Sequence, residues 1–396
     1  MKRIISYLEI YLGVSIAIRG FVSTCAVPLL DQLFPEESIN SAFEKHPLLS
    51  TVYEAEECSE DEIPNISLYS NNYTIVDGKQ YKKQDLRLYQ VSSLFQFNDL
   101  DFIFRQGGTE HKMTKKISIG GGMESIEEIP RTRLDSVEKI LTQFEAGFSL
   151  LVNKIQRHWM PIVTYARRIE DETNLPRVGA NLYVTPPNDA AFDSHWDPMD
   201  VIVVQVYGQK YWNVAKDPTV YLSNQQQKRK PTLNEIDVPH YPTFLMKPGD
   251  VLYIPRGFLH NASTVGLFDR SLHVTFGVHP ELAAVKDLIE YAIDPQFHST
   301  VQQIAHQNST HNVLRQSLHS WRSTQEIPEL FEEALKKVET VAETLNDNEL
   351  VEACKAARGN FDSAISILKE KANEKTDDSR KKDDTWLDAF KDLTHR

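Results

Sequence analysis

The chain has 396 residues, 41% of them hydrophobic, and a formal net charge of −13 at pH 7. This length accommodates one large domain with an appendage, or two to three ordinary domains, with enough apolar residues to bury a core. The acidic balance argues against a surface that binds nucleic acid by neutralising phosphates, because that mode needs a clustered basic face. Cys25, Cys58 and Cys354 lie far apart without a CxxC spacing, so they indicate neither a disulfide framework nor a cysteine zinc site.

Residues 1–26 have a basic start, an apolar stretch and small residues near their end, which loosely resembles a targeting segment. Glu9 and Arg19 interrupt the apolar stretch, and a charge within such a stretch is unfavourable in lipid. We therefore expect an amphipathic helix rather than a membrane anchor, with a targeting segment as the alternative. Elsewhere the sequence has no segment long and apolar enough to span a bilayer.

The segments before residue 160 mix helical and strand-like patterns. Residues 27–60 predict a short helix, a turn and a second short helix, followed by an acidic loop. Residues 66–120 contain short strand-like runs, among them LDFIFRQ at 100–106, and the three glycines at 120–122 predict a flexible connector. Residues 133–159 carry apolar residues at helical spacing, which predicts one helix.

Residues 180–280 differ from the rest of the chain. Short runs rich in Val, Ile, Tyr and Phe alternate with Pro, Gly and Asp turns, a pattern typical of a β-sandwich or barrel. After Pro280 the pattern becomes helical, with dense charge on the amphipathic segments. We therefore divide the chain into an N-terminal segment at 1–26, a barrel domain at 27–280 and a C-terminal helical region at 281–396.

His195 and Asp197 flank Trp196 just after a predicted strand and a proline-rich turn. Residues two apart in an extended segment project to the same face, so the imidazole and the carboxylate can meet at one ion. His260 follows the turn-strand unit KPGDVLYIP, which can return it to the same barrel mouth. Two histidines and a carboxylate on one face of an octahedral ion are the ligands of non-haem iron oxygenases. An HxD pattern also occurs often by chance, and a lone downstream histidine is usually a surface or core residue.

The surrounding motifs resemble those of one family, the JmjC-domain oxygenases of the ribosomal-oxygenase branch. Its patterns are matched in order by NLYVTP at 181–186, HWD at 195–197, QVYGQKYW at 205–212, PGDVLYIPRGFLH at 248–260 and SLHVT at 271–275. FEKHPLL at 43–49 is similar to the entry segment of that branch. The resemblance implies an α+β fold, in which a double-stranded β-helix (cupin or jelly-roll) barrel carries N-terminal helices and a C-terminal helical region.

The same resemblance implies roles for individual residues. His195, Asp197 and His260 match the Fe(II) ligands, and Lys210 matches the residue that grips the distal carboxylate of 2-oxoglutarate. A buried carboxylate needs a cation and donors, so such a lysine has a physical reason to be there, although Lys210 could also be a turn lysine. The further cofactor-binding candidates are Tyr183, Thr275 and Asn181, while Asn181 and His273 could equally be satisfied polar residues of the core.

The implied activity is that of an Fe(II)- and 2-oxoglutarate-dependent dioxygenase acting on a protein. Hydroxylation of a ribosomal-protein side chain is the first expectation, and demethylation of histone lysines is the second. We expect a homodimer through the C-terminal helices, no membrane partner, and a location in the nucleus, the nucleolus or the cytoplasm. The alternatives are a metal-binding cupin with other small-molecule chemistry and a non-catalytic interaction protein. The acidic C-terminal helices show no winged-helix pattern, a departure from the family.

Overall fold

A computed structural model of the chain describes most residues between 91 and 371 and shorter segments on either side. The described residues are 29–34, 39–50, 73–76, 79–82, 91, 94–120, 123–173, 175, 177–190, 192–236, 243–280, 283–307, 312–318, 326–371, 373–374, 377–378 and 381. The prediction for residues 1–26, a helix or a targeting segment, lies outside them. In the described part, no helix is both long and apolar enough to cross a membrane.

Strands dominate the part of the molecule that precedes residue 280. They are β1 Leu48–Ser50, β2 Tyr73–Val76, β3 Lys79–Lys82, β4 Glu110–Gly120, β5 Met123–Pro130, β6 Ser149–Asn153, β7 Gly179–Thr185, β8 Asp200–Tyr207, β9 Lys210–Val214, β10 Thr243–Met246, β11 Val251–Ile254, β12 His260–Ser263 and β13 Ser271–Val278. All of these strands pair antiparallel.

Helices flank the strands and fill the C-terminal part. They are α1 Leu29–Leu33, α2 Ile39–Ala42, α3 Asp99–Gln106, α4 Val137–Glu145, α5 Met160–Thr173, α6 Leu233–Ile236, α7 Val285–Ala292, α8 His298–His306, α9 Glu326–Leu345 and α10 Asn348–Ala357, with further helical residues at 361–371. Helices and antiparallel sheets that are largely segregated along the chain make this an α+β fold.

Two sheets carry the candidate site. The larger has the strand order β1-β11-β8-β13-β7-β6-β4-β5, and the smaller has the order β10-β9-β12. Successive side chains of β8 point to opposite faces, so Ile202 and Val204 join the main core while Val201 and Val203 join a second cluster with Trp212 of the smaller sheet. Burial on both faces explains why β8 is a continuous apolar run in the sequence.

The single helix predicted over residues 133–159 is wrong in its second half. Helix α4 ends at Glu145, Gly147 has φ +89°, and residues 149–153 form β6 between β4 and β7. Leu150 and Val152 are buried in the core from that strand. An apolar run has the same composition in a buried strand as in a buried helix, and the pairing partners that decide between them are distant in sequence.

Two further local predictions are corrected. LDFIFRQ lies in helix α3, not in a strand, and the ion pair of Arg105 with Asp101 one turn earlier fits that helix. Gly120 belongs to β4 rather than to a flexible connector, since β4 and β5 pair from Lys112 opposite Pro130 to Gly120 opposite Met123, while residues 121–122 lie outside the described residues. Both cases show a local pattern overridden by the partner with which the segment packs.

A buried network of charges, which we call the junction, joins the entry segment, the barrel and the C-terminal part. The Arg256 guanidinium donates to Glu44 Oε1 at 2.6 Å and to the Arg315 carbonyl at 2.5 Å. The Arg256 backbone N–H donates to Asp200 Oδ1 at 3.0 Å, and the Tyr253 hydroxyl donates to Asp200 Oδ2 at 2.5 Å. The segment 43–49 is therefore held against the barrel by the ion pair of Glu44, and by the pairing of β1 with β11.

The described residues after 283 have a core of their own. Helices α7, α8, α9 and α10 bury Leu288, Val301, Leu335 and Cys354 against one another. This helical character agrees with the expectation for 281–396, while the domain boundary at 280 stays a prediction.

Candidate metal and cofactor site

A cavity opens among the strands of the two sheets, and most of the candidate site residues line it. Its lining comes from β7, β8, β9, β12 and β13 and from the segment that precedes β8. The lining residues are Tyr183, Phe192, His195, Asp197, Val201, Val203, Lys210, Trp212, His260, Ala262, His273 and Thr275. The mixture of apolar walls with a few convergent polar groups is typical of a small-molecule site.

His195, Asp197 and His260 come together in this cavity. One ligand atom of each lies within 4.8 Å of the others. A backbone bridge holds the two histidines side by side, with the His195 N–H donating to the His260 carbonyl at 3.0 Å and the His260 N–H donating to the His195 carbonyl at 2.8 Å. The HxD spacing and the distant histidine thus meet as the sequence predicted.

Backbone carbonyls set the orientation of both imidazoles. His195 Nδ1–H donates to the Asp193 carbonyl at 2.8 Å, and His260 Nδ1–H donates to the Phe258 carbonyl at 2.9 Å. A carbonyl oxygen can only accept, so Nδ1 carries a proton in each ring and Nε2 is the nitrogen available to a metal. Metal-binding histidines are commonly fixed in this way by the hydrogen bond of their other nitrogen.

The electrostatics of the triad suit a divalent cation. Burial, with a smaller effect of the neighbouring His195, lowers the pKa of His260 to about 4, although the Asp197 carboxylate favours the protonated form. His260 is therefore a neutral imidazole at pH 7, with its Nε2 3.7 Å from Asp197 Oδ2. Two neutral nitrogen donors and one carboxylate oxygen are a ligand set that divalent transition metals accept, so the residues present fit Fe(II).

Lys210 enters the cavity from the start of β9 and is 3% exposed. Its ammonium donates to Thr185 Oγ1 at 2.8 Å, a neutral partner. Burial lowers the pKa of Lys210 to about 7, and the more distant Asp189 carboxylate opposes that shift. A buried ammonium with a neutral hydrogen-bond acceptor gains from an incoming carboxylate, since the new charge offsets its desolvation.

Four residues on β7 and β13 lie near this lysine. Tyr183 stacks on His273 with ring centroids 4.8 Å apart, burial raises the pKa of the Tyr183 hydroxyl, and Thr275 lines the cavity two residues beyond His273. Asn181 lies opposite Thr275 in register, but its Oδ1 accepts the Lys154 N–H at 3.1 Å. Asn181 thus has a structural partner outside the cavity, and its cofactor-binding role stays a prediction.

The sequence did not single out Thr185 or Trp212 as site residues, and it left His273 open between the metal pocket and the core. Thr185 is the hydrogen-bond partner of Lys210, His273 is a buried wall of the cavity, and Trp212 packs edge-on against His273 at 5.4 Å. Thr185 belongs to the NLYVTP motif, so its motif was visible although its partner was not. Trp196, between two candidate ligands, packs instead in a buried cluster with Val220 and Leu259.

Residues 159–285 match the family described as JmjC domain. The chain contains a JmjC domain. This stretch includes all three candidate metal ligands and Lys210. The match follows the order of the motifs that carried the resemblance in the sequence.

Curated relatives share the same part of the chain. The protein from Aedes aegypti called bifunctional lysine-specific demethylase and histidyl-hydroxylase NO66 is 42% identical over 103 residues, which are 26% of this chain and 16% of that protein. Ribosomal oxygenase 2 of Mus musculus is 35% identical over 102 residues, or 26% of this chain and 21% of that protein. The similarity thus spans about a fifth of these relatives, so it shows the domain and leaves the activity of the whole protein to be proposed.

A solved structure of Escherichia coli ycfD aligns with 79% of this chain and 67% of its own, at 15% sequence identity and a TM-score of 0.39. A TM-score this low does not assign the fold, which follows from the strand pairings of this chain.

Proposed function

We propose that the protein is an Fe(II)- and 2-oxoglutarate-dependent dioxygenase that hydroxylates a side chain of another protein. One observation carries the proposal: within one cavity, a converging His-Asp-His triad stands together with a buried lysine whose hydrogen-bond partner is neutral. The triad binds one end of an oxoacid through the metal, and Lys210 binds a carboxylate at the other end. A metal site for other small-molecule chemistry does not need that buried cation.

The two sheets and the cavity among their strands support a double-stranded β-helix barrel for residues 27–280. In this arrangement β8 lies in the larger sheet and β9 in the smaller, and the cavity receives side chains from both. The barrel keeps the reacting atoms away from bulk water and fixes their approach. The C-terminal region at 281–396 then lies outside the catalytic domain, where we propose that it supports a homodimer.

The residues of the chain position the reaction without acid–base chemistry. His195 and His260 present Nε2 lone pairs, Asp197 supplies the negative charge, and Lys210 orients the co-substrate. Fe(II) held by His195, Asp197 and His260 would supply the electrons for O₂ activation, with 2-oxoglutarate as the co-substrate that is converted to succinate and CO₂. Val201, Val203 and Ala262 keep the neighbouring wall apolar.

The target is proposed from the relatives. Ribosomal oxygenase 2 and the histidyl-hydroxylase and lysine-specific demethylase names of NO66 describe proteins that modify proteins. We favour hydroxylation of a ribosomal-protein side chain, with histone lysine demethylation second and an intracellular location in the nucleus, the nucleolus or the cytoplasm. Phe192 lies three residues before His195 and lines the cavity, so it is placed to contact the target near the reacting carbon.

The proposal is tested by succinate formation from 2-oxoglutarate with Fe(II), ascorbate and O₂. Wild-type protein should form succinate, His195→Ala should not, and His46→Ala, a matched change at an exposed histidine, should equal wild type. Mass spectrometry of ribosomal proteins and histones then identifies the target. A gain of one oxygen atom supports hydroxylation, whereas loss of methyl groups with release of formaldehyde supports demethylation. Absence of succinate formation by the wild type would overturn the proposal in favour of another metal-cupin chemistry or a binding role.

A further inference from the structure

A row of four polar side chains, which we call the outer ladder, crosses the smaller sheet on the side away from the cavity. It runs from Thr243 on β10 through Asn213 on β9 to Asn261 on β12, residues that face one another in register. Ser194 continues the row, because His195 bridges His260 in an antiparallel sense and so brings Ser194 beside Asn261. His260 and Ala262 line the cavity, so Asn261 between them points to the opposite face.

Hydrogen bonds connect the outer ladder in one direction. The Thr243 hydroxyl donates to Asn213 Oδ1 at 2.6 Å, and Asn213 Nδ2 donates to Asn261 Oδ1 at 2.8 Å. Asn261 Nδ2 then donates to Ser194 Oγ at 2.9 Å. The two amides are oriented consistently with each other, since the Nδ2 donor of Asn213 must meet the Oδ1 acceptor of Asn261.

The last bond of the ladder joins the backbone segments of two metal ligands. Ser194 immediately precedes His195, and Asn261 immediately follows His260. Between these segments the backbone pairing is an isolated bridge rather than a ladder of several residues. The imidazole centroids lie only 4.5 Å apart, and a single bridge supplies fewer hydrogen bonds between the two backbone segments than a ladder of several residues does.

We propose that Asn261 is a positioning residue for the metal centre, acting through Ser194 to hold the segments of His195 and His260 at the separation that one ion requires. The inference rests on the metal site of the proposed function. Asn is unfavourable in strands, so two of them opposite each other on β9 and β12 serve better as hydrogen-bonding groups than as sheet formers. Outer residues of this type commonly change metal affinity 10- to 100-fold when they are removed.

The experiment measures Co(II) binding to the metal-free full-length protein, by the dissociation constant and by the visible absorption spectrum of the bound ion. Asn261→Ala and Ser194→Ala should each raise the Co(II) dissociation constant about 10-fold and alter the spectrum. The double variant should be no weaker than the single variants, because both remove the same bond. The matched control is Asn360→Ala, which removes an asparagine hydrogen bond to the Ala292 carbonyl far from the cavity and should bind Co(II) as wild type does.

The outcomes separate this inference from the function on which it rests. Wild-type affinity and spectrum in Ser194→Ala and Asn261→Ala, even with lowered thermal stability, would overturn the inference and leave the outer ladder a purely structural feature. Ser194→Ala decides the question by itself should Asn261→Ala fail to fold. A wild-type protein that binds no Co(II) would overturn the proposed metal site, and the positioning role with it.

Discussion

Among the residues that the structure describes, two clusters of charged groups, the junction and the cavity, differ in where their hydrogen bonds lead. In the junction, the guanidinium of Arg256, which is 1% exposed, donates a hydrogen bond to the Glu44 carboxylate. Asp200 accepts a hydrogen bond from the Tyr253 hydroxyl. In the cavity, the ligand atoms of His195, Asp197 and His260 face one another across a space, and Lys210 donates to a hydroxyl. The junction is closed on protein groups, whereas the cavity is open to a ligand.

The pKa values do not separate these clusters, but the partners do. Burial raises the pKa of Asp200 to about 7 in the junction, with the Arg256 guanidinium opposing the shift. Burial likewise lowers the pKa of Lys210 to about 7 in the cavity. A perturbed pKa therefore marks burial in both places, and only the neutral partner of Lys210 indicates a site for a charged ligand.

The largest expected effect comes from a substitution in the triad of the cavity. His195→Ala removes one of three ligands and should reduce succinate formation to background, because the ion is then held by Asp197 and His260 alone. The folded state should persist, since His195 is half-buried and sits on a short bridge. Measured rates should be accompanied by urea unfolding of the same preparations. Retention of more than about a tenth of the wild-type rate would remove His195 from the metal centre.

A substitution in the junction should lower the stability of the protein rather than its activity. Glu44→Ala removes the carboxylate 2.6 Å from the buried Arg256 guanidinium, leaving Asp200 at 4.0 Å, and should lower the free energy of unfolding by about 3–5 kcal/mol in urea titrations. The control is Glu110→Ala, which breaks an exposed ion pair with Lys154 and should change it by less than about 1 kcal/mol. In folded Glu44→Ala protein, 2-oxoglutarate affinity should stay at the wild-type level. A selective loss of that affinity would show that the two clusters are not separate.

A smaller effect should appear in the pH dependence of 2-oxoglutarate binding. Below pH 7 Lys210 is already protonated, so its charge adds no pH dependence to the affinity. Above pH 7 binding must take up a proton, and the dissociation constant should rise about tenfold per pH unit from this group. Calorimetry in two buffers of different ionisation enthalpy measures the proton uptake. Lys210→Met should abolish the uptake, and its persistence there would assign it to another group.

The candidate site could be predicted further than the fold around it. His195 and Asp197 are two residues apart, so their shared face follows from strand geometry alone, and the motif before His260 indicated its return. β6 could not be predicted, because its choice between helix and strand depends on pairing with β4 and β7. The partner of Lys210 was hidden for a similar reason, since Thr185 is distant in sequence and meets it only in the folded barrel.

The outer ladder shows the same limit. Asn213 and Asn261 look like unfavourable strand residues in the sequence, and their function depends on a register between β9 and β12 that no local pattern reveals. Motifs therefore predict which residues meet the ligand, while the residues that hold them in place require the pairing of the strands.

The central claim is that the triad and Lys210 hold opposite ends of one dicarboxylic oxoacid. It is tested most directly by anaerobic binding to the Fe(II) protein of 2-oxoglutarate and of 2-oxobutyrate, which lacks the distal carboxylate, in wild type and in Lys210→Met. Wild type should prefer 2-oxoglutarate about 10- to 150-fold, because a charge-assisted hydrogen bond to a buried group contributes about 1.5–3 kcal/mol. Lys210→Met should lose that preference and bind 2-oxobutyrate as wild type does. An equal preference in both proteins would contradict the account.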